Sequence, residues 1–298
     1  MKTIFRKEVT DYFTSIRFVV LLILALLVCV STIWFDLQHI RGNSPNDTAF
    51  VFLKLFTTQP EGIAGMFSFI TFMAIFFVPI IGIILGFDTI NGERSSGTMS
   101  RLMAQPIFRD NIINAKFLAG LFILSVMVVI TVLVIAGAGL WLIGVPPNSE
   151  EVFRLFIYLI FTVFYGAFWM ALAILFSVLF RRVSTSLLIS IAIWLFFGFY
   201  TRMIVPAVAR SMDTFLMLLR FSPNHLFEEA TLVLLHPQWR GAGLLTVGES
   251  ANFMIPNPLS MGQSMLLIWP QLTGLIALTV VCFAISYVLF MRQEIRAN

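Results

Sequence analysis

The chain has 298 residues, of which 59% are hydrophobic, 14% aromatic and only 11% charged. A soluble domain carries about 25% charged residues. That shortfall, with a mean hydropathy of +0.95, excludes a soluble enzyme, a secreted disulfide scaffold and a disordered tail, and leaves an integral membrane protein. The formal net charge of +4 comes from basic residues scattered through short connections, a placement that fits membrane orientation rather than nucleic-acid binding.

The first element is residues 1–17. Phe5, Val9, Tyr12, Phe13 and Ile16 share one face at helical spacing, while Arg6, Lys7, Glu8 and Arg17 are polar. The pattern predicts an amphipathic helix lying along a membrane interface. Six stretches then reach the roughly 20 apolar residues needed to cross the hydrocarbon: Phe18–Phe35, Met66–Phe87, Phe117–Ile143, Phe153–Phe180, Ser186–Ala209 and Leu266–Phe290. The first is read as a retained anchor, because its apolar run exceeds a signal-peptide core and no Ala-x-Ala site follows. Cys29 and Cys282 lie inside apolar runs and are read as small hydrophobes. The expected fold is an all-α integral membrane protein: one domain over 1–298, with six transmembrane helices, the interfacial helix and a short helical external segment before the last span.

Twelve of the 19 Lys and Arg residues fall on one side of this topology and seven on the other. The richer side carries Lys2, Arg6, Lys7, Arg17, Arg94, Arg101, Arg109, Lys116, Arg181, Arg182, Arg292 and Arg296. Both termini are therefore predicted to be cytoplasmic. The two larger non-spanning pieces, Asp36–Gly65 and Arg210–Met265, are then external. Within the second, Ser222-Pro223 reads as a helix start with a capping serine, and His236-Pro237 as its stop. Leu226, Phe227, Ala230 and Val233 share a face there, fitting a short helix that dips into the outer leaflet or packs over the bundle. Glu228-Glu229 reads as an exposed acidic helix start.

Catalytic patterns are missing. None of the four lysines sits in a Gly-Lys-Ser/Thr context, so no phosphate-cradling loop is present. His39, His225 and His236 form no His-Glu-x-x-His pattern, and no Gly-x-Ser-x-Gly elbow occurs. Charges inside the spans are nearly absent: Asp88 sits at the inner end of the second and Arg202 toward the outer part of the fifth. A proton- or ion-coupled carrier holds carboxylates or histidines at mid-membrane. The lack of such a relay argues against a self-powered secondary transporter, and any energy is expected from elsewhere.

The most punctuated stretch joins spans two and three, residues 88–116. Asn91-Gly92 reads as a helix stop. Ser95, Ser96 or Thr98 caps a short helix containing Leu102 and ended by Pro106, and a new helix starts near Arg109. The outcome is a short helix across the cytoplasmic ends of two spans, placed to be gripped by a partner or to serve as a plain connection. The spacing Glu93-x3-Gly97-Thr98-x7-Pro106-x2-Arg109-x6-Lys116 resembles the signature of ABC-2 type transporter permeases, the six-span membrane subunits of bacterial and archaeal ABC exporters. Arg6-Lys7-Glu8 with Arg17, and the Ser222-Pro223 helix, are similar to that family's N-terminal amphipathic helix and external helical element. Within the family the chain is similar to small single-domain permeases such as the one serving nitrous-oxide reductase maturation.

The resemblance implies a non-catalytic exporter subunit in the cell (inner or plasma) membrane. It would pair with a second permease chain, identical or related, and dock a separate ATP-binding subunit that holds the ATP, so that no cofactor belongs to this chain. Coupling would run through Glu93, Arg94, Gly97, Thr98, Leu102 and Pro106 and through Arg6, Lys7 and Glu8. In that scheme Glu93 makes a polar contact with the ATPase, Gly97 allows close approach and Thr98 caps the coupling helix. Arg109 and Lys116 are either contacts or interfacial anchors. Gly82 and Gly86, a G-x-x-x-G pair on the second span, serve packing within the chain or a permease–permease seam. Membrane lipid and a periplasmic partner complete the expected surroundings. The rival reading is a membrane scaffold that docks periplasmic partners without transport.

Overall fold

The architecture comes from a computed structural model that describes residues 1–42, 50–57, 69–99, 108–144, 146–237 and 258–293. Leu102 and Pro106 lie outside the described residues. Among those described there is no strand. The helices are α1 (Lys2–Thr14), α2 (Ile16–Gly42), α3 (Val51–Thr57), α4 (Phe69–Phe72), α5 (Val78–Gly86), α6 (Asn91–Ser95) and α7 (Arg109–Ile143). They continue as α8 (Ser149–Leu179), α9 (Val183–Phe199), α10 (Val205–Val208), α11 (Met212–Leu219), α12 (Pro223–Leu235) and α13 (Met261–Arg292). Six helical stretches are long and apolar enough to cross a membrane: Ile16–Trp34, Phe69–Ser95, Arg109–Trp141, Ser149–Leu179, Val183–Val208 and Met261–Arg292.

Several helices begin earlier than hydropathy alone predicts, because polar first turns extend them. The Asn148 N–H donates to the Glu151 carboxylate at 2.7 Å, and the Ser260 N–H to Gln263 Oε1 at 3.0 Å. Each satisfies an orphan donor at a helix start. The chain break between α1 and α2 is Ser15, in extended conformation.

The second and fourth spans form the centre. A Cβ on Gly82 would stand 2.8 Å from the Gly166 carbonyl oxygen, and one on Gly86 2.6 Å from that of Met170. The two glycines let backbone meet backbone, and they do so against this chain's own α8. The close approach that the G-x-x-x-G pair allows is made within the chain, against α8.

Pro79 lies within the second span. A π-helical turn, Met73–Phe77, lies just before that proline. A proline has no N–H and leaves upstream carbonyls free. Two neighbours take them: the Tyr165 hydroxyl donates to the Ala74 carbonyl, and Trp194 Nε1 to that of Ile75. The freed backbone therefore stitches the second span to the fourth and fifth.

One face of α1 packs on the bundle. Its inward face is Ile4, Phe5, Glu8, Val9 and Tyr12, with Ile4 packed on Ile112 and Ala115 of α7. Phe13 and Ile16 are exposed instead, Ile16 because it belongs to the next helix.

α12 stops at Leu235, as His236-Pro237 predicts. It is otherwise far more buried than expected. Phe227 stacks on Tyr165 with ring centroids 4.3 Å apart, and Glu228 and Glu229 are buried, not an exposed acidic start. Ser222 occupies the N-cap, but its hydroxyl makes no capping bond.

Candidate functional site

The termini end of the bundle gathers the residues between spans two and three. Asn91 does not stop a helix. After a turn at Phe87–Ile90 it begins α6, and the backbone N–H groups of Ile90 and Asn91 both donate to Ser177 Oγ, at 3.0 and 3.1 Å. Ser177 in turn donates to Asn91 Oδ1 at 3.1 Å. One hydroxyl at the end of the fourth span thus fixes the start of α6.

Charge fixes the rest. Lys116, on α7 and only 5% exposed, reaches Glu93 Oε1 at 2.8 Å and Glu8 Oε1 at 2.9 Å. It is neither an interfacial anchor nor a surface contact. Glu93 turns inward to it, which ties α6, α7 and α1 at one point. Charge-assisted bonds of this length are the strong class. Arg17 pairs with Asp88 at 2.5 Å and covers the Phe87 ring. The Tyr12 hydroxyl donates to the Leu85 carbonyl at 3.0 Å. Burial, reinforced by the Glu8 and Asp88 carboxylates, pushes that phenol well above its ordinary pKa, so it stays a donor. Arg94 bonds the Gln293 side chain and the Val178 carbonyl, Gln293 Nε2 donates to Val178 O at 2.9 Å, and Arg109 donates to the Gln293 carbonyl at 3.1 Å. The segment between the second and third spans is therefore anchored to α1 and to the second, third, fourth and sixth spans.

Between residues 88 and 99 only the tip faces outward. Ser95, Ser96, Gly97 and Thr98 are exposed. The turn is closed by the Ser95 hydroxyl on the Gly92 carbonyl (2.9 Å) and by Thr98 Oγ1 on the Glu93 carbonyl (3.3 Å). Gly97 has φ +71°, and a Cβ there would meet nothing within 4 Å. Within this chain its glycine is required by left-handed backbone, not by close approach. Of the predicted residues, Glu93 and Arg94 thus hold the segment from behind, and Gly97 and Thr98 form the presented surface. Arg6 and Lys7 are exposed on α1, where Lys7 reaches Asp11 at 3.8 Å.

Sequence reasoning missed Ser177, Gln293 and Tyr12 as anchors, since a serine in an apolar run gives no signal of its partner. It also missed Arg154 at the far end. That guanidinium is fully buried, donating to Glu150 (2.8 Å), the Leu234 and Leu259 carbonyls (2.9 and 2.7 Å) and Ser264 Oγ (3.0 Å). An arginine four residues after a glutamate on a helix start reads as a surface pair, and only the arrival of α12 and α13 encloses it.

Among the described residues of this arrangement no nucleophile–base pair is assembled. An exposed turn stands in front of polar anchors to α1 and four spans. A family model described as "ABC-2 family transporter protein" matches residues 2–295. The chain is similar to the "Probable ABC transporter permease protein NosY" of Pseudomonas aeruginosa, 27% identical over 148 residues, covering 50% of this chain and 47% of the relative. It is also similar to the protein of the same name from Stutzerimonas stutzeri, 36% identical over 75 residues, 25% of this chain and 26% of the relative. The chain thus matches half or less of the length of these relatives. With the family model covering nearly every residue, the chain belongs to the ABC-2 family of transporter proteins.

Proposed function

We propose that this protein is the permease subunit of an ATP-driven ABC-2 exporter and that it receives mechanical work through the Ser95–Thr98 tip and the exposed side of α1. The observation that carries the reading is the division of the 88–99 segment into an outward tip and a rear anchored to α1 and four spans. A separate ATP-binding subunit would press on the tip, and the Glu93–Lys116–Glu8 junction would pass the push to α1 and α7. A second permease chain completes the transport unit. The family match and the lack of a phosphate-cradling loop support this division of labour. The Lys and Arg bias supports an inner or plasma membrane location with both termini cytoplasmic.

Gly97→Val tests the assignment, because it strains a left-handed position by about 1–2 kcal/mol while its added Cβ stands in open space. Membrane insertion and detergent Tm should stay near wild type, while substrate-coupled ATPase turnover of the purified complex falls about tenfold, as a loss of roughly 1.4 kcal/mol in coupling would give. Unchanged coupled turnover would count against the tip. Failure of any ATP-binding subunit to co-purify from gently solubilised native membranes would end the exporter reading.

A further inference from the structure

The fifth span and the α11–α12 hairpin place two arginines where lipid would not tolerate them. On the fourth span, Tyr165 bonds Asn224 Oδ1 at 2.9 Å and Arg154 bonds the Leu234 carbonyl. These contacts lie about 16 Å apart along the fourth span and about 15 Å apart along α12, at roughly 1.5 Å per residue. α12 therefore runs antiparallel beside the fourth span, from depth toward the far end. The Tyr200 hydroxyl donates to the Leu218 carbonyl at 2.9 Å, which pins α11 to the fifth span. The turn Arg220–Ser222 consequently sits near the level of Tyr200, about 12 Å below Val208 at the far end of that span. The hairpin dips into the membrane and returns.

At this depth Arg202 lies 4.0 Å from Glu228 and Arg220 lies 3.7 Å from Glu229. The exposures are unequal. The arginine side chains are 30% and 63% exposed, their carboxylate partners 4% and 9%. Guanidinium stands in front and carboxylate behind at both places, with the buried His225 beside Arg220. A guanidinium has five donors, and these loose pairs leave most of them facing outward. Arginines at membrane depth face a bundle interior or a water-filled cavity, and non-helical backbone is tolerated there only under the same condition. The fifth span fits: its apolar stretch is only 11% buried within the chain, against 78% for the second, and its hydropathy of 1.9 is the lowest of the six. Asp213, about 10 Å nearer the far end, is the one acidic side chain exposed on α11.

We infer that Arg202 and Arg220 form an anion-binding site at the floor of an aqueous vestibule open at the end opposite the termini, one that accepts a small oxyanion or the anionic headgroup of an amphiphile. The orientation rests on the reading above, and the site itself needs no ATPase partner.

Single cysteines at Met203, Met217 and Phe221, in a Cys29→Ala/Cys282→Ala background, test it in full-length protein reconstituted into phosphatidylcholine vesicles. The probes are the impermeant sulfonatoethyl and trimethylammonium-ethyl methanethiosulfonates, with each rate normalised to that reagent's rate on Pro146→Cys in the exposed far-end loop. The expected result is labelling from the far side at all three positions, none at Leu133→Cys or Val280→Cys, and a preference of about tenfold for the anionic reagent. Arg202→Gln and Arg220→Gln should abolish the preference. If those variants fail to insert, the preference with both arginines present decides. Protection by sulfate identifies a small free anion, and protection only after adding phosphatidylglycerol identifies a headgroup, so either outcome supports the site. Labelling from the termini side alone supports the site and overturns the orientation. No labelling at the three positions, equal normalised rates for the two reagents, or a preference with neither form of protection overturns the inference.

Discussion

Lys116 is a single cation buried between two carboxylates, so removing it strands both. Breaking a buried pair in this way costs about 3–5 kcal/mol, because the remaining charges keep their desolvation penalty without compensation. Lys116→Met is expected to lower the detergent Tm and to free α1, seen as faster proteolysis or hydrogen exchange over residues 2–14. Lys116→Arg should retain most of the stability. Arg154 makes the opposite contrast. Its planar fork reaches two carbonyls, a hydroxyl and a carboxylate at once, a geometry that an ammonium cannot reproduce. Arg154→Lys should therefore destabilise by about 2–4 kcal/mol, close to the cost of losing buried charged hydrogen bonds, despite conserving charge. A denaturation midpoint within error of wild type would refute that assignment.

Among the elements, the second and fourth spans form the least forgiving contact. Added methyls at Gly82 or Gly86 meet backbone atoms and the Cβ atoms of Trp169 and Ala173, none of which can rotate away. Overpacking costs about 1–3 kcal/mol where side chains adjust, and the lack of adjustable neighbours puts Gly86→Val above that range. Gly198→Ala and Gly262→Ala, where nothing lies within 4 Å, should change stability by less than about 1 kcal/mol. A thermal-unfolding series on these variants separates the two classes. The π-turn before Pro79 belongs to the same scale. A proline that costs a soluble helix two hydrogen bonds is accommodated here because Tyr165 and Trp194 supply donors, the route by which transmembrane helices tolerate proline.

For the whole molecule, the proposed orientation predicts that a reporter fused after residue 293 is active only in the cytoplasm, and that a cysteine at Pro146 reacts with impermeant reagents in intact cells. The reverse pattern would invert every assignment of side. The membrane class and the six spans were legible because hydropathy is a sum over some 20 residues and survives any detail of packing. Helix ends were less legible. Polar first turns such as Asn148–Glu151 add helix that hydropathy cannot see. The segment between spans two and three was singled out by its punctuation, and only the fold divides its residues into inward and outward ones. Glu93 points at Lys116, and the exposed tip lies two residues further on.

The amino-acid order by itself determined the solvent of this protein, the number of its crossings, the lack of a phosphate-cradling loop and the family signature. Each of these is a property of composition or local spacing. What sits beside what was decided by tertiary structure: Ser177 under α6, Arg154 inside the far-end junction, and Glu228 and Glu229 buried behind two arginines. These pairings join residues dozens of positions apart, and an isolated polar residue in an apolar run carries no mark of the partner that packing will bring to it.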